Sequence, residues 1–128
     1  MARNDSRLKV LVVEDDLLIR WAVTETLTDA GHIVIETADG ASAIRALTNS
    51  VDAIDVVVLD YRLPDSTDLA LLAAIRRLSP RTAVVLMTAY GTDDVTQRAL
   101  DLGASGVMSK PFDLRDLEPT LRLAAASM

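Results

Sequence analysis

The chain has 128 residues, the length of one ordinary domain, and half of them are hydrophobic. Its formal net charge of -6 argues against a nucleic-acid surface, because phosphate contacts need clustered Lys and Arg. The sequence has no cysteine, which excludes disulfides, thiolate catalysis and thiolate metal sites.

Five short runs of β-branched and aliphatic residues predict five strands. They cover residues 8–13, 33–37, 54–59, 82–87 and 106–109. The first, third and fourth runs are apolar at successive positions, which is typical of central strands covered on both faces. The second run carries Glu36 and Thr37 and follows His32, so we expect it at an edge of the sheet with His32 exposed.

Apolar residues at helical spacing follow each strand and predict five helices. The predicted apolar stripes are Leu18, Ala22, Thr26 and Ala30; Ala43, Ile44 and Leu47; Leu71, Ile75 and Leu78; Val95, Ala99 and Leu102; and Leu114, Leu117, Leu121 and Ala124. Trp21 is expected to pack along the first helix. Strict alternation of strand and helix predicts an α/β fold with a parallel sheet and helices on both faces.

The residues at the helix ends agree with this interpretation. Asp39 and Thr92 are suitable N-caps, and Gly31 and Gly103 stand where helix C-caps belong. Asp16 precedes a helix and is also expected to act as a cap.

Pro119 is an exception among the predicted helix residues. If the fifth helix begins after Asp113, the proline removes a backbone donor inside it and favours a kink, unless the helix starts later. Residues 1–128 show no linker or repeat, so we expect one domain, with no effector domain within these residues. The first seven residues lack the apolar run of a signal peptide, and we found no apolar segment of about 20 residues, so we expect a cytoplasmic protein that does not enter the membrane.

Chemically active residues follow the predicted strands. In an open parallel sheet, ligands bind beyond the carboxyl ends of the strands. Those positions hold Glu14, Asp15 and Asp16 after the first strand, Asp60 after the third, Thr88 after the fourth and Lys110 at the end of the fifth.

A cluster of carboxylates at one edge requires a cation. Two unit charges roughly 4 Å apart cost about 4 kcal/mol at an effective dielectric constant near 20. Oxygen ligands without Cys or His favour Mg²⁺. Asp60 could then act as a nucleophile towards a phosphoryl group, Lys110 could pair with a phosphate oxygen, and the Thr88 hydroxyl could donate a hydrogen bond. Lys110 has no evident packing role, so its removal is expected to change stability little.

Four motifs resemble the receiver domain of bacterial two-component response regulators over nearly the whole chain. They are Val12-Val13-Glu14-Asp15-Asp16, Leu59-Asp60-Tyr61-Arg62-Leu63-Pro64, Met87-Thr88-Ala89-Tyr90-Gly91 and Ser109-Lys110-Pro111-Phe112. The resemblance implies a flavodoxin-like (βα)5 fold with strand order 2-1-3-4-5. It also implies a signalling switch rather than a metabolic enzyme, phosphorylated on Asp60 by a sensor histidine kinase or a phosphotransfer protein.

Individual roles also come from the resemblance. Asp15 and Asp60 are implied as direct Mg²⁺ ligands, with Glu14 acting through water and Arg62 supplying its backbone carbonyl. The Lys110-Pro111 bond is implied to be cis. Phosphorylation is implied to act through the face formed by the fourth helix, the fifth strand and the fifth helix, towards an effector domain or protein. The resemblance also allows a homodimer.

Two positions depart from the family's usual pattern. Val107 stands where most receivers have an aromatic switch residue, so Tyr90 is either a loop aromatic or a partial replacement for it. Asp68 stands where receivers usually carry Gly and is suited to capping the third helix. The alternative function is a pseudo-receiver, an interaction module that works without phosphorylation.

Overall fold

The sheet is parallel and has helices on both faces. The computed structural model describes residues 7–50, 53–65, 69–89 and 92–128. Within these residues the elements are β1 Lys9–Val13, α1 Leu17–Asp29, β2 Ile33–Thr37, α2 Gly40–Asn49, β3 Val56–Asp60, α3 Ala70–Leu78, β4 Ala83–Thr88, α4 Asp93–Asp101, β5 Gly106–Ser109, a 3-10 turn Leu114–Asp116 and α5 Leu117–Ala126. The strand order is β2-β1-β3-β4-β5, as the resemblance to receiver domains implies.

Alternate residues of the central strands build two separate cores. Val10 and Val12 of β1 pack on the side of α1 and α5, while Leu11 and Val13 pack on the side of α2, α3 and α4. All residues of β3 and β4 are buried. Because both faces are covered, these strands need apolar side chains at nearly every position, and the polar residues collect at their ends.

The third and fourth strands extend one residue further than the sequence predicts. The predicted runs end at Leu59 and Met87, whereas the strands include Asp60 and Thr88. The backbone ladder continues past them, since the Tyr61 N–H donates to the Met87 carbonyl at 2.8 Å. The two polar side chains therefore stand on strands rather than in loops, which fixes their backbone more firmly.

The predicted helix caps are confirmed. Asp39 accepts from the Ser42 N–H at 2.7 Å, and Thr92 accepts from the Val95 N–H at 3.2 Å. Gly31 has φ 95° and follows α1 directly after its C-cap, a conformation that disfavours other residues.

Pro119 does not kink the last helix. Asp113 caps the 3-10 turn by accepting from the Arg115 N–H at 2.8 Å, and α5 begins only at Leu117. Pro119 therefore lies in the first turn of α5, where its missing N–H has no intrahelical partner to lose.

The apolar stripe predicted for α1 is displaced by one residue. Val23 and Leu27 are the fully buried positions, whereas Leu18 is 77% exposed. Trp21 is 61% exposed, so the prediction that it packs along the helix is wrong. It lies two positions before Val23, which places it on the opposite side of the helix.

The prediction that His32 is exposed is also wrong. Its side chain is fully buried, and Nδ1 accepts from the Leu8 N–H at 2.9 Å. The Nε2–H is then left to donate to Glu118 on α5, also at 2.9 Å. The ring satisfies a backbone donor just before β1 and joins α5 to the edge of the sheet.

Two sequence predictions fall outside the described residues. These are the capping role of Asp68 and the switch role of Tyr90. Among the residues that the structure does describe, no helix combines the length and the apolar character that a bilayer span requires.

We expect Glu118→Gln to lower stability in a pH-dependent way. The hydrogen bond from His32 holds the pKa of Glu118 below its usual value, with Arg122 adding to the effect. A carboxylate with a lowered folded pKa stabilises fully above its unfolded pKa, and this stabilisation is lost as pH falls through the folded pKa. The variant should lose roughly 1 kcal/mol at neutral pH, a modest loss because 28% of the Glu118 side chain is accessible to water.

Urea unfolding at neutral pH and below pH 4.5 measures this difference, with Glu25→Gln on the exposed side of α1 as the control. The gap between wild type and Glu118→Gln should narrow in acid. A gap of equal size at both pH values would contradict the role given to this carboxylate.

Candidate functional site

Three carboxylates meet at the carboxyl edge of the sheet. Glu14 and Asp15 follow β1, and Asp60 ends the neighbouring strand β3. Each offers an oxygen within 4.8 Å of the others. The sheet order therefore brings together residues about 45 positions apart, as predicted from the strand ends.

Lys110 binds two of these carboxylates at once. Its Nζ donates to Glu14 Oε1 at 2.8 Å and to Asp60 Oδ1 at 2.9 Å. The Lys110 N–H also donates to the Thr88 carbonyl at 2.7 Å, which holds the residue against the end of β4. The Lys110-Pro111 bond is cis, as expected.

The Glu14 side chain is enclosed by its partners. It is 1% exposed, and its second oxygen, Oε2, accepts from the Asp16 N–H at 3.0 Å. Burial raises the pKa of Glu14, against the opposing effect of Lys110. Burial disfavours the charged form of Lys110, but the two carboxylates outweigh it and raise the pKa of Lys110.

Arg20 is a component of the site that the sequence analysis missed. Its Nη1 donates to the Glu14 carbonyl at 2.9 Å, and its Nε donates to Glu36 on β2 at 3.2 Å. The guanidinium thus connects α1, the loop after β1 and the edge strand. The four strand-end motifs do not include Arg20, because it lies within α1 and its two partners lie on other segments.

The neighbouring acidic residues have separate roles. Asp16 caps α1 by accepting from the N–H groups of Leu18 and Ile19 at 3.0 and 3.1 Å, as predicted. Asp15 lies between Glu14 and Asp16 and is exposed to solvent. Of the three acids after β1, Asp15 is therefore the one that is both exposed and part of the carboxylate cluster.

Thr88 and Arg62 occupy different environments. Thr88 is fully buried at the end of β4, one residue past Met87, which pairs with Asp60. Arg62 is exposed in the loop after β3, and the next residue, Leu63, is buried in the core. The structure thus places Thr88 beside the carboxylate cluster by strand register and Arg62 two residues beyond Asp60.

The donor set suits a hard divalent cation. Glu14, Asp15 and Asp60 offer only oxygen atoms, which favours Mg²⁺ over softer metals. Together with Lys110 they carry a net charge of two negative, which one Mg²⁺ balances.

An apolar cleft of about 400 Å³ borders the same site. Its walls come from α1, the residue after β4 and the segment after β5: Ile19, Ala22, Val23, Ala89, Lys110, Pro111, Phe112 and Leu114. Lys110 therefore takes part in both the cleft and the carboxylate cluster. Leu17 and Leu18, at the start of α1, are mostly exposed nearby in sequence.

Residues 10–122 match the family model for the response regulator receiver domain. The chain is 36% identical over 121 residues to the transcriptional regulatory protein PdtaR of Mycobacterium tuberculosis, covering 92% of this chain and 57% of PdtaR. It thus spans little more than half of that relative. It is 29% identical over 114 residues to sporulation initiation phosphotransferase F of Bacillus subtilis, covering 89% of this chain and 90% of the relative.

Solved structures share the fold. A chain of the CheX-CheY-BeF3-Mg²⁺ complex of Borrelia burgdorferi has a TM-score of 0.84 and 26% identity, with 94% of this chain and 90% of that chain covered.

We expect Lys110→Met to destabilise the protein when no divalent cation is present. This differs from the expectation from sequence, because the ammonium separates two carboxylates that would otherwise repel. Breaking a fully buried pair costs roughly 3–5 kcal/mol, and the partial exposure of Lys110 reduces the expected loss to about 1–3 kcal/mol.

Unfolding in urea with a chelator, and again with Mg²⁺, tests the prediction. Mg²⁺ should reduce the difference from wild type, because it supplies the missing positive charge. Lys9→Met, at the chain's other lysine, is the matched control. The role given to Lys110 would be refuted if the two variants were equally stable in chelator.

Proposed function

The chain belongs to the receiver domains of response regulators, and we propose that it is a switch that accepts a phosphoryl group on Asp60 with Mg²⁺ bound. The family consists of signalling switches of two-component systems. One observation carries the proposal. Asp60 ends a central strand, its carboxylate accepts a hydrogen bond from Lys110, and one of its oxygens lies within 4.8 Å of carboxylate oxygens of Glu14 and Asp15.

Asp60 is the proposed nucleophile. One carboxylate oxygen forms the new bond to phosphorus while the bond from phosphorus to the donor breaks, and the leaving group takes the electron pair. For a phosphohistidine donor the broken bond is P–N, and the imidazole leaves. Lys110, already 2.9 Å from Asp60 Oδ1, would pair with a phosphoryl oxygen after transfer.

The proposed metal ligands are Asp15, Asp60 and the backbone carbonyl of Arg62, with Glu14 acting through water. Mg²⁺ would neutralise charge on the carboxylates and on the incoming phosphoryl oxygens. The accessibility of Asp15 supports its role as a direct ligand, and the enclosure of Glu14 supports its indirect one. The Borrelia complex, whose CheX-CheY-BeF3-Mg²⁺ composition includes this metal, has the same fold and supports the assignment.

Thr88 is the proposed switch hydroxyl. Its position at the end of β4 would let a phosphoryl group on Asp60 draw it inward and shift the chain towards α4. Val107 on β5 is half-buried against the core and is too small to act as an aromatic toggle. We propose that the signal leaves through the face of α4, β5 and α5, towards an effector or a second copy of the domain.

The phosphodonor is proposed to be a sensor histidine kinase or a phosphotransfer protein that docks over α1 and the apolar cleft. The cleft adjoins Lys110, so a protein seated there would lie next to Asp60. Leu18 extends this apolar surface, with 77% of the residue exposed. On this proposal the domain acts in the cytoplasm, and residues 1–128 form one receiver domain.

We expect acetyl phosphate with Mg²⁺ to add one phosphoryl group to the protein, and Asp60→Asn to prevent it. The substitution keeps the shape of the side chain but removes its nucleophilic charge. Intact-protein mass spectrometry measures the added mass, and omission of Mg²⁺ is the control. Full labelling of Asp60→Asn would reject Asp60 as the acceptor, and a wild-type protein that never gains mass would favour the pseudo-receiver.

We expect Leu18→Asp to slow phosphorylation by a protein donor but not by acetyl phosphate. The new charge would weaken an apolar docking surface while leaving Asp60 accessible to a small molecule. The rate with a purified histidine kinase that labels the wild type should fall at least roughly tenfold, which corresponds to about 1.4 kcal/mol. Leu78→Asp is the control on α3, where the leucine is 48% exposed.

The ratio of the two labelling rates is the decisive quantity. Equal slowing by both donors would point to damage at Asp60, and equal behaviour of the two variants would place the docking surface elsewhere.

A further inference from the structure

The loop after β3 is fastened to the start of α2 by one side chain. Asp65 Oδ1 accepts from the Gly40 N–H at 2.8 Å, and Oδ2 accepts from the Ala41 N–H at 3.1 Å. These are the first two N–H groups of α2, which have no partner within the helix. A single carboxylate therefore holds two donors on an element 24 and 25 residues earlier in the chain.

Asp65 is not the local N-cap of α2. Asp39, the residue directly before α2, already accepts from the third N–H, that of Ser42. A local N-cap of this kind is the usual device for starting a helix. Asp65 binds two further N–H groups and, unlike Asp39, connects α2 to the loop after β3.

The packing around Gly40 also shows how closely the loop approaches. Gly40 is buried, and a Cβ at this position would lie 3.1 Å from Asp65 Oδ1 and 3.2 Å from Leu71 Cδ2. A Cβ here would require the Asp65 carboxylate and the Leu71 side chain to shift by a few tenths of an ångström. Glycine at position 40 therefore lets the Asp65 carboxylate approach the start of α2 without this shift.

The fastened loop contains the backbone group assigned to the metal. Arg62 lies between Asp60, which is fixed at the end of β3, and Leu63, which is 4% exposed in the core. Asp65 fixes the chain again two residues after Leu63. A carbonyl held between such points loses little freedom when it binds a cation, and a smaller ordering cost gives higher affinity.

We propose that Asp65 is a positioning residue for the metal site, acting through α2 rather than by contact with the ion. The inference rests on the proposed Mg²⁺ function. It assigns to α2 a part in the chemistry of Asp60, because the start of this helix holds the loop in which the Arg62 carbonyl lies.

Asp65→Ala tests the proposal by Mg²⁺ titration, followed by backbone amide NMR signals. We expect affinity to fall roughly fivefold, in the range of a lost cap. Asp65→Asn keeps one oxygen acceptor and should recover part of the loss. Asp39→Ala is the matched control: it removes one capping carboxylate from the same helix without releasing the loop, so affinity should stay within about twofold.

The design separates positioning from other effects. If Asp65→Asn and Asp65→Ala lose the same affinity, the acceptor that Asn keeps contributes nothing, and positioning through these hydrogen bonds is rejected. If Asp65→Ala matches Asp39→Ala in affinity while both lower the melting temperature, Asp65 only stabilises α2.

The proposed function is tested independently in the same titration. Wild type that binds no Mg²⁺, or Asp15→Asn that binds it as tightly as wild type, would overturn the metal site itself. Wild-type binding that depends on Asp15 but not on Asp65 would overturn the positioning role alone.

Discussion

The organisation of this domain depends on holding three carboxylates at one edge of a parallel sheet. Two carboxylates roughly 4 Å apart repel by about 4 kcal/mol at an effective dielectric constant of 20. Lys110 relieves this repulsion by binding Glu14 and Asp60 together. One ammonium leaves two negative charges in the cluster. The site can therefore still bind a divalent cation, and with that cation bound it can accept a negatively charged phosphoryl group.

The stability of the parallel sheet offsets the electrostatic cost of placing these carboxylates together. Its buried strands contribute the hydrophobic stabilisation, and their polar residues are confined to the ends where α1 and the loops can reach them. Arg20 fastens the loop after β1 by its bond to the Glu14 carbonyl, and Asp65 fastens the loop after β3. The cluster is thus fixed through the backbone, while Asp15 stays accessible to solvent.

Features that depend on neighbouring residues in the sequence are predicted correctly. Features that depend on a contact with a residue distant in the sequence are not. Apolar runs and caps such as Asp39 identify the strands, the helices and the edge position of β2, the family resemblance adds the full strand order, and strand ends identify the clustered acids. His32 follows a helix-ending glycine and looks exposed, but it is buried because Leu8 and Glu118 supply its partners. Arg20 and Asp65 escaped notice for the same reason, since their contacts form only after the helices pack on the sheet.

The helices differ in how many of their residues are buried, and this difference indicates which of them could move when a signal leaves the site. Among the described side chains, α4 buries only Ala99 completely, whereas α3 and α5 bury three residues each. An element with little buried apolar area shifts at a lower free-energy cost. On the proposed mechanism, α4 follows the strand that ends in Thr88, and Val107 on β5 is too small to resist its movement. On this proposal a shift of α4 carries the signal away from the site, while the donor is proposed to dock over α1 and the apolar cleft.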